Sequence, residues 1–277
     1  VYLNLSLTTL TNLIFSFKNI LQSANLVVST SGNSGMKQKF SSYLSNLSSI
    51  KNKKLVNNIF SEVADNYDFM NDVLSFGLHR IWKKQFVNLV KFKNEDVILD
   101  LAAGSGDISK LIKMKNPALN EIFISDINKD MLGKAQKKLV NDSVKFICHS
   151  AEKIPFKVKT FDVVTVAFGI RNFSDIEKSL HEIYRVLKMN GKFMCLEFSS
   201  FNRKSLRLFF KIYCGIIPIM GKYFANNARA YKYLVESINA FPNQIIFSKM
   251  LKTVGFKNIE CFDLLDGIAS IHICKKV

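Results

Sequence analysis

The stretch Leu99-Asp-Leu-Ala-Ala-Gly-Ser-Gly-Asp107, LDLAAGSGD, leads from an apolar run into a turn of small residues with an acid on either side. The run Val97–Leu101 reads as a strand, and Asp107–Met114 carries helical periodicity. In a doubly wound α/β sheet, ligands bind beyond the carboxyl ends of the strands, at the switch point after the first strand, where this turn falls. Gly104 and Gly106 permit a tight bend with backbone close to a ligand, and small Ala102, Ala103 and Ser105 keep the approach open. The turn is not a dinucleotide fingerprint, because Ser109 stands where a third glycine would be, nor is it a G-x-x-x-x-G-K-[ST] phosphate loop. By itself it is as compatible with a structural turn as with a binding site.

The pattern continues in alternating units. Strands are expected at Glu121–Ser125, Val144–Cys148, Asp162–Ala167 and Lys192–Phe198, with helices at Asp130–Val140 and Ile176–Leu187. Two further helices are expected near Ala230–Ala240 and Asn243–Val254. The end of the chain, Asn258–Leu264 and Ile268–Cys274 around Leu265-Asp266-Gly267, reads as a hairpin added at the sheet edge. Before the first strand, Val56, Ile59, Phe60 and Val63, then Tyr67–Leu74, then Ile81–Val90 form a helical cap. The fold class is therefore α/β: a doubly wound, mostly parallel seven-stranded sheet with an antiparallel C-terminal hairpin strand and an N-terminal helical cap.

The second strand ends in SDINKDML, which places Asp126 about twenty residues after Gly106. A carboxylate there can accept from both hydroxyls of a ribose, and a buried acid without such partners is costly. The competing reading, a helix N-cap, suits Asn128 or Asp130 better. A third strand leads into SAEKIPF, so that Ser150, Ala151 and Glu152 fall at a third strand end. A ligand touching three successive strand ends is nucleoside-like.

The chain carries a formal net charge of +17, which suits an anionic partner, although lysine scattered through an Asn-, Ile- and Phe-rich sequence also reads as compositional bias. Cysteines 148, 195, 214, 261 and 274 show no C-x-x-C spacing and favour a reducing compartment. The four histidines, at 79, 149, 181 and 272, have no neighbouring ligands, so no metal is expected. The first acid is Glu62, preceded by a Ser/Asn/Leu-rich run with six lysines and no arginine. Residues 1–50 therefore read as a targeting or disordered extension, or as an over-extended reading frame whose start is Met36, and residues 51–277 as the folded domain. Lys18 and Lys211 interrupt the two longest apolar candidates, so no spanning helix is expected.

The series LDLAAGSGD, SDINKDML, SAEKIPF, FDVVTVAFGIRN and YRVLKMNGKFMCLEFS resembles the class I S-adenosylmethionine-dependent methyltransferases. More closely, YDFMNDVLSFGLHRIWK (Tyr67–Lys83), FGIRN (Phe168–Asn172) and YKYLVESINAFPNQ (Tyr231–Gln244) resemble the ubiquinone/menaquinone biosynthesis C-methyltransferase family over Leu55–Lys276. The resemblance implies S-adenosylmethionine as cofactor. Ser105 and the Gly104 and Gly106 backbone would hold its methionine part, Asp126 its ribose, and Ser150 and Ala151 its adenine. This sequence departs from the family in having Ser150 where Asn or Asp is common, Ala167 where a serine often precedes FG, and Met189-Asn190-Gly191 where a Pro-Gly turn is usual.

A sulfonium methyl is already activated, so the enzyme must align a nucleophile and exclude water. For carbon to attack, the acceptor ring must be electron-rich, as a hydroquinol becomes on losing a proton. Arg171 and Asn172, just past the fourth strand, are the expected catalytic pair, with Arg171 a fixed cation facing the oxyanion. The competing reading of Arg171 is a surface salt bridge. Tyr67, Asp68, Asn71, His79 and Arg80 come from the cap, and a packed structural role is open for His79. The family's substrate, a polyprenyl quinol lipid, calls for an apolar trough, which Leu206–Phe224 offers, and implies peripheral membrane contact; that segment also reads as a buried core helix. A multi-enzyme quinone-biosynthesis complex, a homodimer, and a place on the matrix face of the mitochondrial inner membrane, or else membrane-associated in a bacterial cytoplasm, go with that family. The rivals are a nicotinamide-dependent oxidoreductase, which the absent third glycine disfavours, and a catalytically silent lipid-binding subunit, which the intact glycines, Asp126 and Arg171 disfavour. No nucleic-acid module is recognisable.

Overall fold

The computed structural model describes residues 77–139, 143–199 and 228–277, together with Ser61, Asp72 and Ser75. All of them belong to the compact unit Ser42–Val277. The expected extension at 1–50, the cap before Gly77 with Tyr67, Asp68 and Asn71, and the segment Leu206–Phe224 lie outside the described residues.

The elements are α1 (Leu78–Asn88), β1 (Val97–Leu101), α2 (Asp107–Lys115), β2 (Glu121–Asp126), α3 (Lys129–Lys138), β3 (Val144–Cys148), β4 (Phe161–Ala167), a 3-10 turn (Ile170–Asn172), α4 (Ile176–Val186), β5 (Leu187–Phe198), α5 (Ala228–Ala240), α6 (Gln244–Val254), β6 (Lys257–Leu264) and β7 (Ala269–Lys275). Seven strands form one sheet in the order β3-β2-β1-β4-β5-β7-β6. The first five are parallel, and β7 runs antiparallel between β5 and β6. The expected edge hairpin is thus present, with the last strand on its inner side. Its turn takes left-handed angles at Leu265, Asp266 and Gly267.

Burial explains the strand sequences. β1 (VILDL) and β4 (FDVVTVA) are covered on both faces, so they read as nearly continuous apolar runs. One side of the sheet packs Trp82 and Phe86 of α1, Ile112 of α2, Ala135 of α3 and Leu234 of α5. The other packs Leu180 and Ile183 of α4 with Phe247 and Leu251 of α6. Each of the Leu, Ile and Phe side chains among them contributes about 1.5–3 kcal/mol by leaving water. Ile81, expected at the start of its helix, is exposed on α1 instead.

The expected turn at Met189-Asn190-Gly191 is a kink inside one long strand. β5 begins at Leu187, directly after α4, and its register against β4 shifts between Phe161 and Val163. Asn190 takes a φ of 62° there. Lys276 Nζ donates to the carbonyls of Tyr184 (2.7 Å), Arg185 (3.3 Å) and Leu187 (2.8 Å), satisfying the end of α4.

The sheet order sets the site. From β1 the chain moves outward through β2 and β3, then returns to the other side of β1 with β4. The strand order therefore reverses at β1, and the turns following β1 and β4 lie side by side. They are so close that a Cβ on Gly169 would come within 2.8 Å of the Ala102 Cβ.

Candidate active site

The turn after β1 depends on its glycines. Gly104 (φ 55°) and Gly106 (φ 80°) are both left-handed, and a Cβ on Gly106 would sit 3.0 Å from Leu139 Cδ1 and 3.1 Å from Ala135 Cβ. Two non-glycine residues at these strand ends share the left-handed region, Ala102 (φ 54°) directly after β1 and Phe168 (φ 56°) directly after β4. Strain of this kind persists only where the surroundings enforce it. Both line a narrow crevice bounded by the turn, Asp100, Ala167 and Lys83.

Asp126 ends β2 and reaches the turn. Its Oδ2 accepts from Gly104 N at 2.9 Å and its Oδ1 from Asn128 N at 2.8 Å. Each oxygen keeps an accepting position for a hydroxyl. Burial pushes the carboxyl up, and the backbone N–H groups of Asn128, Gly104 and Ile127 oppose that rise. The cap of α3 is Asn128, whose Oδ1 accepts from Met131 N at 3.0 Å, so the N-cap reading does not fall on Asp126.

Around the turn the charges are dense. Ser105 is buried, and its Oγ accepts from Lys138 Nζ at 2.9 Å. Asp107 is gripped by Lys83 (2.8 Å) and Lys138 (3.2 Å), which hold its carboxyl well below the usual range against the opposing pull of burial. Asp100 is fully buried in β1. It accepts from Ser109 N (3.1 Å), Ser109 Oγ (2.6 Å) and Thr165 Oγ1 (3.0 Å), its cross-strand neighbour on β4. Burial still pushes its pKa up to about 6.

At the third strand end, His149 N donates to the carbonyl of Asp126 at 3.2 Å, which keeps Ser150 and Ala151 beside the β2 terminus. Ser150 Oγ donates to the Glu152 carboxylate. Glu152, next in the chain, is engaged at the entrance of α4, where its Oε1 accepts from Ser174 N (2.8 Å) and Asp175 N (3.3 Å). Acceptors there satisfy backbone donors ahead of the helix.

Past β4, the 3-10 turn carries Arg171 and Asn172. Arg171 is 2% exposed, so the ion pair weighed for it exists but is buried rather than on the surface. Its Nη1 donates to Glu197 Oε1 (2.6 Å), near the end of β5, and to the Phe168 carbonyl (2.6 Å). Its guanidinium lies 5.5 Å from the Phe198 ring centroid, and its buried Nε has no hydrogen-bond partner. Burial pushes the Glu197 carboxyl up, against the pull of Arg171. Asn172 Oδ1 accepts from Tyr233 on α5 (3.0 Å). Burial raises the Tyr233 hydroxyl to about 12, so it remains a donor.

His79 on α1 is buried, shares a hydrogen bond with Ser75 Oγ (2.8 Å) and lies 3.7 Å from Asp72. Burial first, then Lys83, push it down to about 4, so it is a neutral imidazole near pH 7. Arg80 is exposed and pairs with Asp72. The fold thus gathers Gly104, Ser105 and Ala167 around one crevice with Asp126 fastened to it, and sets Arg171 and Asn172 beyond Phe168. Lys83, Glu197 and Tyr233 were not singled out in the sequence, and Asp100 and Asp107 only as the acids on either side of the turn. A charged residue inside the apolar run VILDL was the available signal for Asp100, and an acid in the apolar run FMCLEF for Glu197.

The sequence profile of the ubiE/COQ5 methyltransferase family matches residues 47–276. The ubiquinone/menaquinone biosynthesis C-methyltransferase UbiE of Rickettsia prowazekii (strain Madrid E) is 48% identical over 235 residues, covering 82% of this chain and 94% of the relative. Its namesake in Rickettsia bellii (strain OSU 85-389) is 47% identical over 233 residues, covering 81% and 94%. Among solved structures, an S-adenosylmethionine-dependent methyltransferase of Thermotoga maritima, a possible histamine N-methyltransferase, superposes with a TM-score of 0.58 at 17% identity, covering 80% of this chain and 100% of the other. A putative methyltransferase solved with its Haloferax volcanii activator gives 0.59 at 14% identity, covering 79% and 97%. At those identities the likeness concerns the fold.

Proposed function

The chain belongs to the ubiE/COQ5 methyltransferase family, and we propose how its own residues serve the family's reaction. The protein is an S-adenosylmethionine-dependent C-methyltransferase of ubiquinone or menaquinone biosynthesis. The observation that carries this is the extent of the match, which spans 94% of the Rickettsia prowazekii relative at 48% identity.

When bound, S-adenosylmethionine supplies an activated sulfonium methyl group. The chain's residues fit it: the Gly104–Gly106 turn bares its backbone to the crevice, and Asp126 keeps one acceptor on each oxygen for the ribose hydroxyls. Ser105 belongs to the methionine end, Ser150 and Ala151 to the adenine, and Ala167 to the wall between cofactor and acceptor. Beyond Phe168, Arg171 favours loss of the ring hydroxyl proton to a water held with Asn172, and the electron-rich ring carbon that accepts the methyl then gives up its own hydrogen to water as a proton. Glu197 and the Phe168 carbonyl both hold Nη1 of the guanidinium, which leaves Nη2 and the buried Nε without a hydrogen-bond partner among the described residues and available to the acceptor side. Asn172, oriented by Tyr233, joins Arg171 in holding the acceptor. Trp82 of α1, with its ring 6.4 Å from that of Phe168 and 6.3 Å from that of Phe198, backs Phe168, which lines the crevice. Tyr67, Asp68 and His79 are the groups to turn to if Arg171 is not the one.

The acceptor proposed is a polyprenyl benzoquinol or demethylmenaquinol, with Leu206–Phe224 receiving the tail and bringing the protein to a membrane surface. Among the described residues no helix is long and apolar enough to cross a membrane. The curated relatives are bacterial, which favours the membrane-associated bacterial setting over the mitochondrial one. The test is incubation of the purified protein with methyl-labelled S-adenosylmethionine and a short-tailed demethylmenaquinol or methoxy-benzoquinol. Label is expected on a ring carbon, stable to ether cleavage. Label on oxygen, or none with either quinol, overturns the reading.

A further inference from the structure

Lys83 stands on α1, away from the strand ends that form the crevice, yet its side chain lines that crevice and the residue is 8% exposed. An ammonium has three donors. One goes to Asp107 Oδ2 at 2.8 Å, and among the described residues no other acceptor receives the remaining two. An ion pair joining α1 to α2 accounts for only one of the three. Unspent donors on a cation so far from bulk water are costly unless something takes them. Asp107 does not depend on Lys83, because its other oxygen accepts from Lys138 at 3.2 Å and the carboxylate is one-third exposed. Lys83 can therefore turn toward a ligand without stranding its partner. A cation with free donors beside a carboxylate, inside one crevice, is complementary to a zwitterion whose carboxylate and ammonium share one carbon.

We infer that Lys83 reads the amino-acid end of the cofactor: its two free N–H groups donate to the α-carboxylate, while Asp107 accepts from the α-ammonium. The inference rests on the crevice being the S-adenosylmethionine site. It gives the cap a stake in the cofactor, since α1 docks over the crevice through a charge that only a ligand with an intact α-carboxylate can use. Nucleosides lacking that end lose the contact.

The test is titration calorimetry of the full chain with S-adenosylhomocysteine and with 5′-methylthioadenosine, which has the same nucleoside and sulfur but no amino-acid end. Lys83→Met is expected to weaken S-adenosylhomocysteine by about 10- to 100-fold, the scale of hydrogen bonds to a charged group, and to leave methylthioadenosine within about twofold. Equal losses for both ligands, or no loss for either, overturn the inference. Should Lys83→Met fail to fold, wild type alone decides: decarboxylated S-adenosylmethionine, which keeps the ammonium and sulfonium, is expected to bind at least about tenfold more weakly than S-adenosylmethionine. Equal binding overturns the role of Lys83 while leaving the site intact. A wild-type protein that takes up none of these nucleosides overturns the reading of the crevice and the inference with it.

Discussion

The crevice after β1 and the cluster after β4 lie side by side but are built differently. The first is made of backbone, small residues and charges with several partners: half-buried Asp126 is tied down by N–H groups, and half-buried Asp107 is held by two lysines. The second is made of side chains withdrawn from water, where Arg171 and Glu197 are each other's ionic partner. Losing a side chain should therefore weaken ligand binding at the first and the fold at the second.

The sharpest way to break that contrast is to separate the buried pair. Glu197→Ala leaves a guanidinium without its carboxylate in a dry site and is expected to cost about 3–5 kcal/mol in denaturant unfolding. Replacing both, as Arg171→Met with Glu197→Met, is expected to restore most of that stability, because an apolar pair removes the stranded charge. Turnover in the double variant should stay about 10²- to 10³-fold down if Arg171 serves the acceptor ring. Turnover that recovers with stability would make the pair structural and move the catalysis to the cap.

A second measurement sets two buried groups against each other. Asp100 is raised from 3.8 to about 6, so the stability it contributes is complete below about pH 4 and is lost as pH rises through 6. His79 is lowered from 6.5 to about 4, so its contribution is complete above about pH 6.5 and is lost as pH falls through 4. Shifts of about two units each correspond to about 3 kcal/mol of opposite sign over the same window. Relative to wild type, Asp100→Asn should therefore make unfolding stability rise more steeply from pH 4 to 6.5, and His79→Gln should make it fall. Curves parallel to wild type would mean that neither group titrates there.

The smallest effect is expected at the crevice itself. Asp126→Ala should weaken S-adenosylmethionine by about 1.5–3 kcal/mol in calorimetry, the scale of hydrogen bonds to a charged group, while the sheet stays folded. Unchanged affinity would remove the ribose assignment and leave Asp126 as a brace for the turn.

The outcome at particular residues shows why some of this was legible. The alternation of strands and helices, the edge hairpin and the cap at Asn128 follow from period and local chemistry, and all are present. The role of Glu152 was not legible because its acceptors face Ser174 and Asp175, 22 and 23 residues away. At Met189–Gly191 the chain does bend, with Asn190 left-handed and the β5 register shifted, but inside one strand. The cation on the last carbonyls of α4 comes from Lys276, some ninety residues on, which no local signal records. Tyr233 reaches Asn172 across 61 residues, which no spacing rule records.

By itself, the sequence determined the doubly wound order, the small-residue turn, the acid at 126 and the family, because periodicity and backbone sterics act over a few residues and leave their mark in residue type. Tertiary structure alone decided that Arg171 is buried on Glu197, that His79 is neutral and that Lys83 enters the crevice with donors to spare. Those properties are desolvation and pairing, and they exist only once groups from distant elements have been brought together and water has been removed from between them.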